Sequence, residues 1–136
     1  QTVSIANTYQ DLTLNTNREL VGWTHSTSTP TFTCVQSGLY QVIYTIVSEK
    51  TSGSGTISAS VRGTLNGTEI PGSQLSYDFV TNSQTITITK PFMASFVTGD
   101  VLKFQYTGGS TTCRIIANDG TGTTKASITV SIIKIA

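Results

Sequence analysis

The stretch Phe32-Thr33-Cys34-Val35-Gln36-Ser37-Gly38-Leu39-Tyr40-Gln41-Val42-Ile43-Tyr44 decides the fold. Past the turn signal Ser37-Gly38 its residues alternate with period two. In an extended chain Tyr40, Val42 and Tyr44 fall on one face and Leu39, Gln41 and Ile43 on the other. Both faces are apolar except at Gln41. A strand of this kind is expected in the middle of a packed assembly rather than on its wet outside.

The same alternation recurs along the chain, in Val3-Ser4-Ile5, Ile57-Ser58-Ala59-Ser60-Val61, Thr85-Ile86-Thr87-Ile88-Thr89, Lys103-Phe104-Gln105-Tyr106 and Ile128-Thr129-Val130. Half-buried strands read this way. Between the runs stand Thr29-Pro30, Ser52-Gly53-Ser54-Gly55, Asn66-Gly67, Pro71-Gly72, Gly99-Asp100, Gly108-Gly109 and Asp119-Gly120-Thr121-Gly122. These residues make turns because Gly and Asn accept positive φ and Pro presets its own. Asn66-Gly67 suits a two-residue hairpin with both residues at positive φ; with Thr68 it is also a glycosylation sequon. The best helical window, Thr89 to Thr98, contains Pro91 and β-formers, so almost no helix is expected. The fold class is therefore all-β: one domain over residues 1–136, a two-sheet antiparallel sandwich or jelly roll of about ten strands.

Charged residues are only 11% of the chain, and 8 Lys plus Arg against 7 Asp plus Glu leave a formal charge of +1. Without clustered cations, nucleic acid is excluded as a partner. The apolar runs fall far short of the roughly 20 residues that cross a bilayer, so no membrane insertion is expected. The sequence opens on Gln1, and the expectation is a processed or trimmed piece of a longer protein. Low charge and abundant Thr suit an exposed setting, extracellular or on a particle surface.

The spacing aromatic, five residues, Gly-x-Tyr-x-apolar-x-aromatic, carried by Phe32, Gly38, Tyr40, Val42 and Tyr44, resembles the signature of the C1q-like and tumour-necrosis-factor-like jelly rolls. Val42 stands where the family usually has Phe. Downstream, Asn66-Gly67 before a short polar strand and Gly99-Asp100 leading into Val101-Leu102-Lys103-Phe104 resemble the family's "NG" and "GD" turns in the same order. The likeness spans Thr31 to Phe104, while residues 1–30 match only loosely as N-terminal strands or an arm. The ending, Ala126 to Ala136, is more similar to bacterial and viral relatives, including the heads of collagen-like spore-surface filaments. The resemblance implies a homotrimer with a structural and attachment role on a virion, phage fibre or spore surface; the alternative is a secreted domain that binds a receptor or a carbohydrate. A cysteine before Gly-x-Tyr is frequent in the family. Cys34 and Cys113 are then either a disulfide, worth about 4 to 5 kcal/mol in the chain-entropy model, or two buried thiols.

Chemistry-bearing residues are sparse. His25 is the single histidine, read as part of a polar surface loop; alone it builds neither a zinc site nor a Ser-His-Asp triad. Asp11, Glu19, Glu49, Glu69, Asp78, Asp100 and Asp119 are dispersed, with no EF-hand spacing. No catalytic residue, cofactor or metal site is expected. Tyr9, Trp23, Tyr77 and Tyr106 do not fit one core face and are left unassigned.

Overall fold

The computed structural model describes residues 1–116 and 127–136. Its strands are β1 (Gln10–Asp11), β2 (Trp23–His25), β3 (Phe32–Cys34), β4 (Gly38–Lys50), β5 (Ile57–Leu65), β6 (Thr68–Glu69), β7 (Leu75–Phe79), β8 (Thr85–Phe96), β9 (Val101–Gly108), β10 (Cys113–Ile115) and β11 (Ile128–Lys134), with no helix among the described residues. They form two antiparallel sheets, the sandwich that the alternation predicts. The larger, 7-stranded sheet runs β2-β3-β9-β5-β6, with β1 beside β9 and β7 beside β5. In the smaller, 4-stranded sheet β8 pairs with β4 along one side, and β11 and β10 share the other. The expected loop Asp119-Gly120-Thr121-Gly122 lies outside the described residues.

β4 is the spine of the smaller sheet. Its inward residues Tyr40, Val42, Tyr44 and Ile46 are buried against Val61, Phe79, Phe92, Phe96, Leu102 and Phe104. The aromatic rings meet edge to face, Tyr44 with Phe104 at 5.7 Å and Trp23 with Phe96 at 4.9 Å between centroids, the arrangement that ring quadrupoles prefer. The buried Tyr44 hydroxyl donates to the Ser73 carbonyl at 2.8 Å. Ser73 in turn exchanges hydrogen bonds with the Gly63 backbone, each at 3.0 Å. This satisfies polar groups that burial would otherwise penalise. Pro91 sits inside β8 opposite Ile43; among the described residues β8 pairs only with β4, so the missing N–H costs no second ladder there.

The two turns singled out in the sequence meet. Asn66 (φ 49°) and Gly67 (φ 87°) make the β5–β6 hairpin, and Gly99 adopts φ 94° before β9. Asn66 Nδ2 donates to Asp100 Oδ1 at 2.8 Å, and Asn66 Oδ1 accepts from the Val101 amide at 2.9 Å. Asp100 Oδ2 also accepts from the Val97 amide at 2.8 Å. The Asp100 carbonyl accepts from the Cys34 amide at 2.8 Å, so β3 joins the same knot.

Both cysteines are buried free thiols. Cys34 precedes the first residue of β4, whereas Cys113 pairs with Lys50, its last. A strand of 13 residues separates them by roughly 40 Å, and a disulfide requires Cα atoms within about 7 Å. An intrachain Cys34–Cys113 bond is therefore ruled out by position. Residues 1–30 supply β1 and β2, and both attach to the larger sheet.

Because Gly also accepts positive φ, Asn66→Gly keeps the turn and removes only the side-chain bonds. We predict that Asn66→Gly and Asp100→Ala each cost about 1–2 kcal/mol in urea unfolding. Their coupling in a double-mutant cycle is expected to be at least about 0.5 kcal/mol; strictly additive losses would contradict the knot.

Candidate interaction face

Residues paired across a sheet point to the same side, so the registers of β4 with β8 and β11 define the outer face of the smaller sheet row by row. Ile133, Gln41 and Met93 form one row, Ser131, Ile43 and Pro91 the next, then Thr129, Thr45 and Thr89. Leu39 with Ser95 and Val47 with Thr87 extend the pattern at either end. No position in these rows carries a charge. The first charges appear beyond Val47, where Arg114 and Glu49 pair at 2.6 Å. Met93 is 62% exposed and Ile133 53%. Within this face Thr45 and Thr89 bond to each other at 2.8 Å, so these hydroxyls meet one another.

The outer face of the larger sheet is the opposite in character. Lys103 Nζ lies 2.7 Å from Asp11 Oδ2, and Arg62 Nη1 lies 3.1 Å from Glu69 Oε2. The Arg62 guanidinium also covers the Tyr9 ring at 3.7 Å from its centroid, and Ser58 donates to Asp78 at 2.6 Å. Burial alone would raise the Asp11 carboxyl. Hydrogen bonds from Lys103 and Gln105, with the Lys103 charge, more than offset that and hold it below its ordinary range. The larger sheet thus presents charge across its outer face, and the smaller one only beyond Val47, at the Arg114–Glu49 pair.

The motif residues divide between these faces. Phe32, Tyr40, Val42 and Tyr44 point into the core, and Gly38 starts β4. Asn66, Gly67, Gly99 and Asp100 form the knot at one end of the sandwich. Tyr40 donates its hydroxyl to the Gln36 carbonyl there.

Several side chains lie where sequence reasoning did not put them. Trp23 and Tyr106 belong to the core, and Tyr9 to the charged face. Burial pushes the Tyr106 phenol up to about 12 and raises the Cys113 thiol, which disfavours a reactive thiolate. Lys50 is wholly buried and donates to the Gly55 carbonyl at 2.6 Å, closing the Ser52–Gly55 loop. His25 is not in a surface loop: it is buried in β2, stacked on Phe32 at 4.2 Å. It forms one wall of a hollow of about 260 Å³ whose other walls are Thr24, Ser26, Thr29, Thr31 and Thr33. Among the described residues no three of His, Cys, Asp and Glu gather as a metal site would require. No helix among them is long and apolar enough to cross a membrane. A second hollow, of about 410 Å³, lies beside Met93 and Ala94 against Leu65, Thr68, Glu69, Ile70 and Pro71. It lies at the β8 edge, between Met93 and the β5–β6 hairpin.

Comparison with known proteins finds no matching family model and no matching curated protein.

A carboxylate held below its ordinary range stabilises the fold above its unfolded-state pKa and loses that contribution as pH falls through the folded value. Asp11→Asn should therefore lower stability at pH 7 by no more than about 1 kcal/mol, since the pair is partly exposed. The gap to wild type should close as melts are taken from pH 5 toward pH 3; a gap that widened in acid would contradict the assignment.

Proposed function

We propose that this chain is the non-enzymatic head of a homotrimer with a structural and attachment role, of the C1q-like and tumour-necrosis-factor-like kind, displayed on a virion, phage fibre or spore surface. The observation that carries the reading is the stretch of the outer face of β8, β4 and β11 from Leu39 to Val47, which holds no charge, set against the ion-paired outer face of the other sheet. A sheet whose free face stays in water alternates apolar with polar and charged residues. Here Ile133, Ile43, Pro91 and Met93 occupy that face instead, and Ile135, 51% exposed, follows directly after β11. Burying a side chain of this size contributes about 1.5–3 kcal/mol. Such a patch is the usual mark of an interface.

The occupant we assign is a second copy of the chain. Hydroxyls and aliphatic groups alternate on the face, so like surfaces meet without opposing charges. The stoichiometry of three comes from the resemblance carried by Phe32, Gly38, Tyr40 and Tyr44. The sparse chemistry of the described residues, with dispersed acids and a single histidine used in packing, supports the non-enzymatic half of the proposal. The exposed setting follows from the low charge and Thr-rich composition.

Light scattering after size exclusion at micromolar concentration should return three times the 14.4 kDa chain mass. Ile133→Asp, on the β11 side of the face beside Gln41, should give a monomer with an unchanged β-type circular dichroism spectrum. A wild-type chain that stays monomeric would overturn the proposal.

A further inference from the structure

Asn66-Gly67 is the only Asn-Gly pair in the chain. In this pair an asparagine loses its side-chain amide most readily, because glycine puts no Cβ beside the attacking backbone nitrogen. The Gly67 nitrogen attacks Asn66 Cγ: an N–Cγ bond forms, the Cγ–Nδ2 bond breaks, and the Gly67 amide proton leaves with Nδ2 as ammonia. Water then opens the cyclic imide at either carbonyl, leaving aspartate or isoaspartate. Both residues are exposed, so water reaches the turn and burial gives no protection.

We infer that Asn66 is a deamidation site which the fold holds shut, with Asp100 and Val101 as the catch. The side-chain amide is held at both ends: Nδ2 donates to Asp100 Oδ1 at 2.8 Å, and Oδ1 accepts from the Val101 amide at 2.9 Å. The Asn66 backbone amide donates to the Val101 carbonyl at 2.8 Å as well. These partners stand at the start of β9, so they keep the side chain reaching away from its own hairpin. Asp100 is itself fixed, since its Oδ2 accepts from the Val97 amide at 2.8 Å and its amide donates to the Val97 carbonyl at 3.0 Å. Cγ reaches the Gly67 nitrogen only after the side-chain amide has left both partners.

The catch is also what the reaction destroys. With oxygen in place of Nδ2, an acceptor faces the acceptor Asp100 Oδ1, and a second carboxylate lies against the first. Isoaspartate adds a backbone carbon to a turn with only two residues between the paired Leu65 and Thr68, which disturbs the β5–β6 register. The Cys34 amide rests on the Asp100 carbonyl, so the damage extends to β3. The device is one-way: while the knot is closed Asn66 persists, and an opening long enough for the attack leaves a chain that cannot close it again.

The test is peptide mapping by mass spectrometry after incubation at pH 8, on the native protein, on the same protein in urea and on two variants. Native wild type should deamidate at Asn66 at least about tenfold more slowly than the unfolded chain, since hydrogen bonds must break first. Asp100→Ala, which frees Nδ2, should deamidate about tenfold faster than native wild type, the factor expected for one hydrogen bond. Ser48→Ala removes buried bonds to the Tyr106 hydroxyl and the Arg114 carbonyl, toward the other end of β4. It should keep the wild-type rate, which separates loss of the catch from a general loss of stability. In urea unfolding Asn66→Asp should be less stable than Asn66→Gly, which loses the same bonds without adding a charge. Native wild type that deamidates as fast as the unfolded chain overturns the catch, as does an Asp100→Ala rate equal to wild type or matched by Ser48→Ala. Asn66→Asp as stable as wild type overturns the one-way device. The comparison of native with unfolded wild type stands if a variant fails to fold.

Discussion

A strand that is apolar on both faces cannot be an outside strand, and β4 is such a strand. Its inward residues Tyr40, Val42, Tyr44 and Ile46 are covered by the larger sheet. Its outward residues Leu39, Ile43 and Val47 sit in the centre of the smaller one, shielded only by their neighbours on β8 and β11. Burying the first set against the core folds the sandwich. The second set is left partly exposed to water.

The distribution of charge follows the same division. A chain with this few ionisable groups has little freedom in placing them, yet Asp11, Arg62, Glu69, Asp78 and Lys103 all gather on the outside of the larger sheet. Between Leu39 and Val47 the outer face of the smaller sheet receives hydroxyls in their place. Hydroxyls are tolerated in water and are cheap to bury once paired, as Thr45 and Thr89 are. Charges would make burial against another copy costly. Low overall charge, which in the sequence reads only as a compositional bias, becomes in the structure a difference between two surfaces.

What could be read from the sequence, and what could not, divides by range. Asn66-Gly67 and Gly99 were legible because a demand for positive φ is local, and the structure puts all three there. Their joining through Asn66 and Asp100 was not, since it depends on where β5 and β9 lie relative to each other. The alternation of Tyr40, Val42 and Tyr44 gave the buried face directly. His25 was misread because its burial comes from stacking on Phe32 and bonding to Asn17 and Thr29, none of which spacing reveals. Trp23 and Tyr106 were missed for the same reason. The cysteines could not be placed until the register of β10 on β4 put Cys113 at the far end from Cys34. The charge-free face was half legible: period two separates Leu39, Gln41 and Ile43 from the core, but only the registers bring Met93 and Ile133 alongside Gln41.

Met93 is the only methionine in the chain and stands beside Gln41 and Ile133 on that face, 62% exposed in the isolated subunit. Its oxidation by dilute peroxide, followed by mass spectrometry of the native protein at micromolar concentration, reports directly on whether the face is covered. The account predicts strong protection, relieved when the fold is denatured. Oxidation of the native protein as fast as that of the denatured chain would mean that the face stands open to water, and would contradict it.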